Sequence, residues 1–76
     1  MNNERRKLLS EVTKIADEAE SKLKFILADV EKAFVNLPES LQYSEKGTDI
    51  ELAVDSLKKA IETTGELKKH LFDAMM

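Results

Sequence analysis

A single proline divides this chain into two long stretches that have helical patterning. Pro38 is the only proline among the 76 residues, and Gly47, one of two glycines, follows it closely. The residue before a proline is disfavoured in the α region, so a helix that reaches Leu37 is expected to end there. The segment 36–48 therefore predicts a turn, with the chain folding back as a two-helix antiparallel hairpin.

The stretch before Pro38 carries apolar residues at the helical period. Their spacing averages about 3.6 residues, and the stripe consists of Leu8, Val12, Ile15, Ala19, Leu23, Ile26, Val30, Ala33 and Leu37. The pattern predicts a helix over about 3–36, capped by Asn2 or Asn3. Leu9, Ala16, Leu27 and Phe34 widen the stripe. This width fits either one thick core face or two faces, one for the second helix and one for another subunit.

The stretch after Gly47 repeats the pattern. Its stripe consists of Ile50, Val54, Leu57, Ile61, Thr64, Leu67, Leu71 and Met75. It predicts a helix over about 48–75 that starts between Ser44 and Asp49, with Thr48 and Glu51 as a capping box. Between the helices, the turn 37–47 holds a short helical turn over 39–42, since proline suits the first position of a helix. Gly65 marks a kink, the end of a rigid portion of the helix or, as we favour, a close helix crossing.

Two helices of this size bury too little apolar surface to be stable alone. The chain has no cysteine and only one histidine, His70, so disulfides and a metal-ligand set are excluded as staples. We therefore predict an all-α fold in which hairpins assemble into an oligomeric helical bundle, as a homodimer or a larger assembly. The candidates for the intersubunit face are the residues off the main stripes, Leu27, Phe34, Leu52 and Phe72.

The chemistry-bearing residues favour binding over catalysis. No phosphate-cradling glycine loop and no Glu-x-x-His pair occurs, so we expect neither an enzyme nor a cofactor. The net charge of −3 argues against nucleic acid as a partner. No apolar run is long enough to span a membrane, and a cytoplasmic location is expected.

Charge and polarity mark two groups of candidate ligand-binding residues. A hairpin gathers cations at its free end, where they either complement the dipole of the second helix or grip phosphate. They are Arg5, Arg6, Lys7, Lys68 and Lys69. The turn carries polar side chains that either cap helix ends or form a pocket wall, namely Asn36, Ser40, Gln42, Tyr43, Ser44 and Lys46.

The turn also carries a resemblance to a known family. The runs Asn-Leu-Pro-Glu-Ser-Leu-Gln (36–42) and Ser-Glu-Lys-Gly (44–47), followed by the helix around 53–57, resemble short proteins that phages and mobile elements of Gram-positive bacteria encode. The resemblance covers most of the chain and is specific over 33–57. The family usually has arginine before the glycine, whereas Lys46 lacks the planar fork that holds an anion bidentately.

The resemblance implies a setting, conflict between phage and host, more than a mechanism. Our first hypothesis is a non-enzymatic counter-defence protein that sequesters an anionic, nucleotide-type signal between its subunits. Small helical phage proteins that do so are similar to this chain in size and architecture. The second hypothesis is an adaptor whose apolar helix face binds a host or phage protein. A weaker third is a nucleic-acid accessory protein that uses the basic end.

Overall fold

The fold is all-helical, as predicted, and consists of two long helices packed against each other. The computed structural model describes all 76 residues, with α1 over Asn3–Val35, α2 over Glu39–Gln42 and α3 over Glu45–Met75. The Thr64 hydroxyl lies 3.3 Å from a Glu20 carboxylate oxygen, and Lys68 contacts Asp17, so α3 runs back along α1. Neither long helix contains a stretch apolar and long enough to cross a membrane.

The ends of the helices are defined by local hydrogen bonds. The Asn2 side chain accepts a bond from the Arg5 amide at 2.8 Å and caps α1. After Pro38, whose carbonyl accepts from the Leu41 and Gln42 amides, the chain makes the four-residue α2. The N-cap of α3 is Ser44, and Thr48 lies inside the helix, where its hydroxyl donates to the Ser44 carbonyl. The capping box predicted at Thr48 is therefore wrong, because the helix starts one turn earlier.

The contact between α1 and α3 is a seam with a seven-residue repeat. On each helix, the residues turned toward the other helix are buried or half-buried and follow alternating steps of three and four. This is the spacing of a coiled coil, in which a 3.5-residue period keeps one stripe facing the partner. The seam consists of Leu9, Thr13, Ala16, Glu20, Leu23, Leu27, Val30 and Phe34 on α1, Leu37 just after α1, and Gly47, Ile50, Val54, Leu57, Ile61, Thr64, Lys68, Leu71 and Met75 on α3.

The predicted stripe of α1 was wrong in phase over much of its length. Four large residues assigned to it point away from α3 and are exposed, namely Leu8, Val12, Ile15 and Ile26. Their places in the seam are taken by the neighbours Leu9, Thr13, Ala16 and Leu27. On α3 the prediction differs mainly at Leu67, which is 44% exposed while Lys68 occupies the seam.

The molecule is a thin rod with almost no interior. Its backbone spans 58 × 14 × 12 Å. Only Ala16 and Gly47 are buried, and no large side chain is fully covered. A two-helix contact can cover only one stripe on each helix, so every other apolar side chain meets solvent.

The two glycines have opposite surroundings. Gly47 lies where the first turn of α3 passes over the end of α2, and a Cβ atom there would overlap the Gln42 carbonyl and lie 2.8 Å from the Leu41 carbonyl oxygen. Gly65 has no atom within 4 Å of the corresponding point, and α3 continues through it without a break. The close helix crossing favoured for Gly65 is therefore wrong, and the close approach occurs at Gly47.

We expect Gly47→Ala to destabilise the fold and Gly65→Ala to stabilise it. The first change forces backbone atoms of the turn apart, a cost of about 1–3 kcal/mol typical of overpacking. The second replaces an exposed helical glycine, a gain of about 1 kcal/mol. Urea denaturation followed by far-UV circular dichroism measures both. Equal effects of the two substitutions would contradict the packing assigned to the turn.

Candidate functional site

The seam divides the remaining surface of the hairpin into two flanks. On one side, Glu31 and Phe34 of α1 border the same shallow depression as Glu51 and Val54 of α3. Lys68 reaches Asp17 on that same side. The residues that directly follow Ala16, Leu23 and Val30 in α1 therefore lie on one flank. The residues that directly follow the equivalent seam positions of α3 lie on the same flank. By helical geometry, the residues one position before Thr13, Glu20, Leu27 and Phe34 share the opposite flank with their counterparts on α3.

The two flanks differ sharply in polarity. The first, here the polar face, holds Ser10, Asp17, Lys24 and Glu31 of α1 with Glu51, Lys58, Gly65 and Phe72 of α3. The second, here the apolar face, holds Val12, Ala19, Ile26 and Ala33 of α1 with Ala53, Ala60, Leu67 and Ala74 of α3, and Leu8 and Ile15 extend it outward. Both helices thus place their second apolar stripe on one side of the rod.

The apolar face is open to solvent. Leu8 and Ile15 are 56% and 65% exposed, and Ile26 is 45% exposed. Five alanines lie between the larger side chains, so another helix can approach closely at these points. A contiguous exposed apolar patch on a small protein marks an interaction surface. We regard the apolar face as the candidate functional site.

A polar cluster interrupts the seam near its middle. The Lys68 ammonium lies 2.9 Å from an Asp17 carboxylate oxygen and 3.0 Å from a Glu20 oxygen. The other Glu20 oxygen accepts from the Thr64 hydroxyl, and Lys24 lies 3.5 Å from the carboxylate. Glu20 and Lys68 are only 18% and 26% exposed at their side chains. The sequence pattern did not predict this cluster, because the predicted stripes include neither Glu20 nor Lys68, although both residues fall at seam positions.

The cluster shifts the titration of its members. The hydrogen bond from Lys68 holds the pKa of Glu20 below its ordinary value of 4.5, against the opposing effect of partial burial. Hydrogen bonds to Asp17 and then Glu20 raise the pKa of Lys68 above its ordinary 10.5. Lys68, one of the predicted anion-binding residues, thus has two carboxylates of its own chain as partners.

The polar side chains of the turn are divided between capping and solvent. The Gln42 amide nitrogen donates to the carbonyls of Phe34 and Leu37, at 3.3 and 3.1 Å, and so satisfies the open end of α1. The Ser44 hydroxyl donates to the Leu41 carbonyl. The other four, Asn36, Ser40, Tyr43 and Lys46, are exposed, and Tyr43 is 84% exposed.

The basic candidates lie at the far end of the rod from the turn. Arg5, Arg6, Lys7 and Lys69 are exposed at the free end. Since the rod is 58 Å long, one chain cannot bring these cations and the turn to the same ligand. Arg5 does border an apolar depression formed with Met1, Leu8 and Leu9.

The four residues proposed for the intersubunit contact fall in different places. Leu27 and Phe34 are half-buried in the seam, so the contact within one hairpin already covers them. Leu52 and Phe72 are 60% and 61% exposed and lie off the apolar face. The sequence did not predict the apolar face, because seven of its ten residues belong to the stripes predicted to form the core.

Comparison with known proteins identifies no relative. No protein-family model matches the chain, and no curated protein and no solved structure shows significant similarity to it.

We expect the stability of the fold to fall at both extremes of pH because of the polar cluster. The contribution of Glu20 is present above its ordinary pKa of 4.5 and is lost as the pH falls through its lowered value. The contribution of Lys68 is present below 10.5 and is lost as the pH rises through its raised value.

Glu20→Gln tests this expectation, because it removes the charge and keeps the shape of the side chain. Thermal unfolding at a series of pH values should show lower stability than wild type at pH 7 and a flatter decline below the ordinary carboxyl pKa. Glu11→Gln, on the exposed outer side of α1, is the matched control and should follow wild type. A decline as steep in Glu20→Gln as in wild type would show that other carboxylates control acid unfolding.

Proposed function

We propose that this protein is a non-enzymatic binding protein whose working surface is the apolar face. The observation that carries the proposal is the contrast between the two flanks of one seam. The eight positions of the apolar face beside the seam are all alanine, valine, isoleucine or leucine, whereas the equivalent positions of the polar face include five charged side chains. A hairpin stabilised by the seam alone does not require one flank to be apolar and the other polar.

The chemistry of the apolar face suits a helical partner. Its residues recur every seven positions on two antiparallel helices, so they form parallel ridges with gaps at the alanines. A second amphipathic helix or helix pair packs into such gaps, as in helix-in-groove recognition and four-helix bundles. The occupant that we assign to the face is a second copy of the chain, so that the protein acts as an assembly of hairpins.

The perturbed ionisable groups support binding rather than catalysis. Glu20 and Lys68 are the groups whose pKa the fold shifts: the hydrogen bond from Lys68 lowers the pKa of Glu20, and hydrogen bonds to Asp17 and then to Glu20 raise the pKa of Lys68. They lie inside the seam and hold the hairpin in register, which is a structural task. A role in phage–host conflict rests on the family resemblance of the turn alone.

A second candidate function is the capture of an anionic, nucleotide-type ligand at the basic end. The observation that favours it is the position of Arg5, which borders an apolar depression beside the exposed Arg6 and Lys7. A guanidinium next to an apolar floor suits a phosphate joined to a base. In this case the assembly would supply further groups from a second chain.

We expect Ile26→Lys to weaken self-association at least about tenfold, which corresponds to 1.4 kcal/mol. The substitution places an unpaired ammonium at the centre of the apolar face. Phe25→Lys is the matched control, because Phe25 is 76% exposed on the adjacent position and points away from both flanks. Sedimentation equilibrium across micromolar concentrations measures the dissociation constant. Equal weakening by the two variants would contradict the assignment of this face.

The ligand candidate predicts a rise in melting temperature with a nucleotide, through mass action on the folded state. Differential scanning fluorimetry against linear and cyclic nucleotides detects it, and Arg5→Ala combined with Arg6→Ala should abolish it. Lys32→Ala combined with Lys58→Ala removes two other cations and should leave it unchanged. No shift with any nucleotide, together with intact self-association, would leave the interaction module as the function.

A further inference from the structure

We propose that the apolar face is covered by a second copy of the chain packed head to tail, with the free end of each hairpin beside the turn of the other. This deepens the proposed function, on which it rests, by giving the orientation of the second copy and the residues that it brings together. Three features of the molecule favour this arrangement: the size of the face, the order of large and small side chains along it, and the distribution of charge along the rod.

The size of the face suits a specific dimer. From Leu8 to Ala33 it extends about 38 Å at about 1.5 Å per residue. Two helices in contact present a surface about 18 Å wide, so a second copy would cover on the order of 700 Å² and the two copies about 1,400 Å² in all. That total lies within the range of specific interfaces and exceeds the area of most incidental contacts.

Large and small side chains along the face match under a head-to-tail reversal. If α1 lies on α1 of the second copy in reverse, Val12 meets Ala33 and Ala19 meets Ile26. On α3 the same reversal sets Leu67 on Ala60, and Ala74 on Ala53. Val12, Ile26 and Leu67 thus each meet an alanine, as interdigitated packing requires, whereas Ala74 and Ala53 meet each other.

The residue pairs on α1 and those on α3 have their midpoints at nearly the same level of the rod. The pairs on α1 are centred between residues 22 and 23, and those on α3 between 63 and 64. These centres lie at nearly the same level of the rod, since Thr64 bonds to Glu20. One two-fold axis therefore serves both helices. Lys22 lies near this axis at the outer edge, where its flexible stem can reach water.

The charge along the rod selects this orientation over the head-to-head alternative, in which α1 would lie on α3 of the second copy with like ends together. The free end, residues 1–15 and 69–76, has five Lys or Arg side chains and three Asp or Glu, a net +2. The turn end, residues 29–58, has three and seven, a net −4. A head-to-head dimer places ends of like charge together, whereas the head-to-tail dimer places opposite charges together.

The head-to-tail arrangement joins the two groups of candidate ligand-binding residues. In the register that pairs Val12 with Ala33, Arg5 lies about 7.5 Å beyond the level at which α1 of the second copy ends at Val35, so it reaches the level of that copy's turn. The basic end of each chain then lies beside the exposed turn residues Tyr43 and Lys46 of the other. Each dimer would form two such composite sites, which one chain cannot form because its ends are 58 Å apart.

Cysteine crosslinking tests the orientation cleanly, because the chain has no cysteine of its own. The double variant Val12→Cys/Ala33→Cys places thiols 21 residues apart, about 32 Å along one helix, too far for a bridge within one chain. With a short bis-maleimide, we expect covalent dimers joined at both ends. Lys14→Cys/Val35→Cys has the same spacing on the other side of α1 and should give none.

The outcomes separate this inference from the proposed function. Crosslinking of the first double variant alone supports the head-to-tail dimer. Crosslinking between separate Val12→Cys and Ala74→Cys chains, without bridging of Val12→Cys/Ala33→Cys, would show head-to-head packing and overturn the inference while the function stands. A wild-type chain that sediments as a monomer at all concentrations would overturn both the inference and the assembly of hairpins. A different protein occupying the face in place of a second copy would overturn the inference, while the apolar face would stand as a binding surface.

Discussion

The fold depends on a single contact between two helices, and neither helix packs against a further layer of the same chain. This limits how much apolar surface the chain can bury. Such a contact covers a single stripe on each helix, and here it buries only Ala16 and Gly47 completely. Larger side chains such as Leu23 and Val54 are only half-buried, so each gives less than the full transfer free energy of burial. The ordering of a long chain must then be offset by further burial elsewhere. The exposed apolar face supplies the surface on which that burial can take place.

Specificity within the seam comes from its least apolar part. Leucines and isoleucines along a regular seven-residue repeat can slide past each other by one repeat with little loss. The cluster of Lys68 with Asp17 and Glu20 cannot, since a slip would leave charged groups half-buried without partners. Gly47 adds a second constraint at the turn, where only a residue without a side chain admits the close passage of α3 over α2. Together they fix both the register and the end of the hairpin.

The difference in polarity between the two flanks relates this architecture to binding. A polar face keeps one side of the rod in water, and an apolar face of similar length lies opposite. The alanines of that face leave room for a partner, while the isoleucines and leucines supply most of the area that a partner would cover. The opposite charges at the two ends add orientation to an interaction that apolar contact alone would leave undirected.

The sequence by itself determined that the chain is helical, where α1 ends and that α1 and α3 are each amphipathic. Proline chemistry and hydrophobic periodicity act within a few residues, so they can be read locally. It did not determine which apolar stripe of α1 faces α3. Val12 and Thr13, or Ile26 and Leu27, are neighbours on the helix, and the more apolar of each pair is not always the one inside.

Only the tertiary structure decided that phase, because it depends on groups far apart in the chain. Glu20 reads as a surface residue until Lys68, 48 positions later, is placed beside it. Gly47 reads as a flexible turn residue until the Gln42 carbonyl is found against it. Once those two contacts set the register, the second stripe of each helix is forced to the same side of the rod.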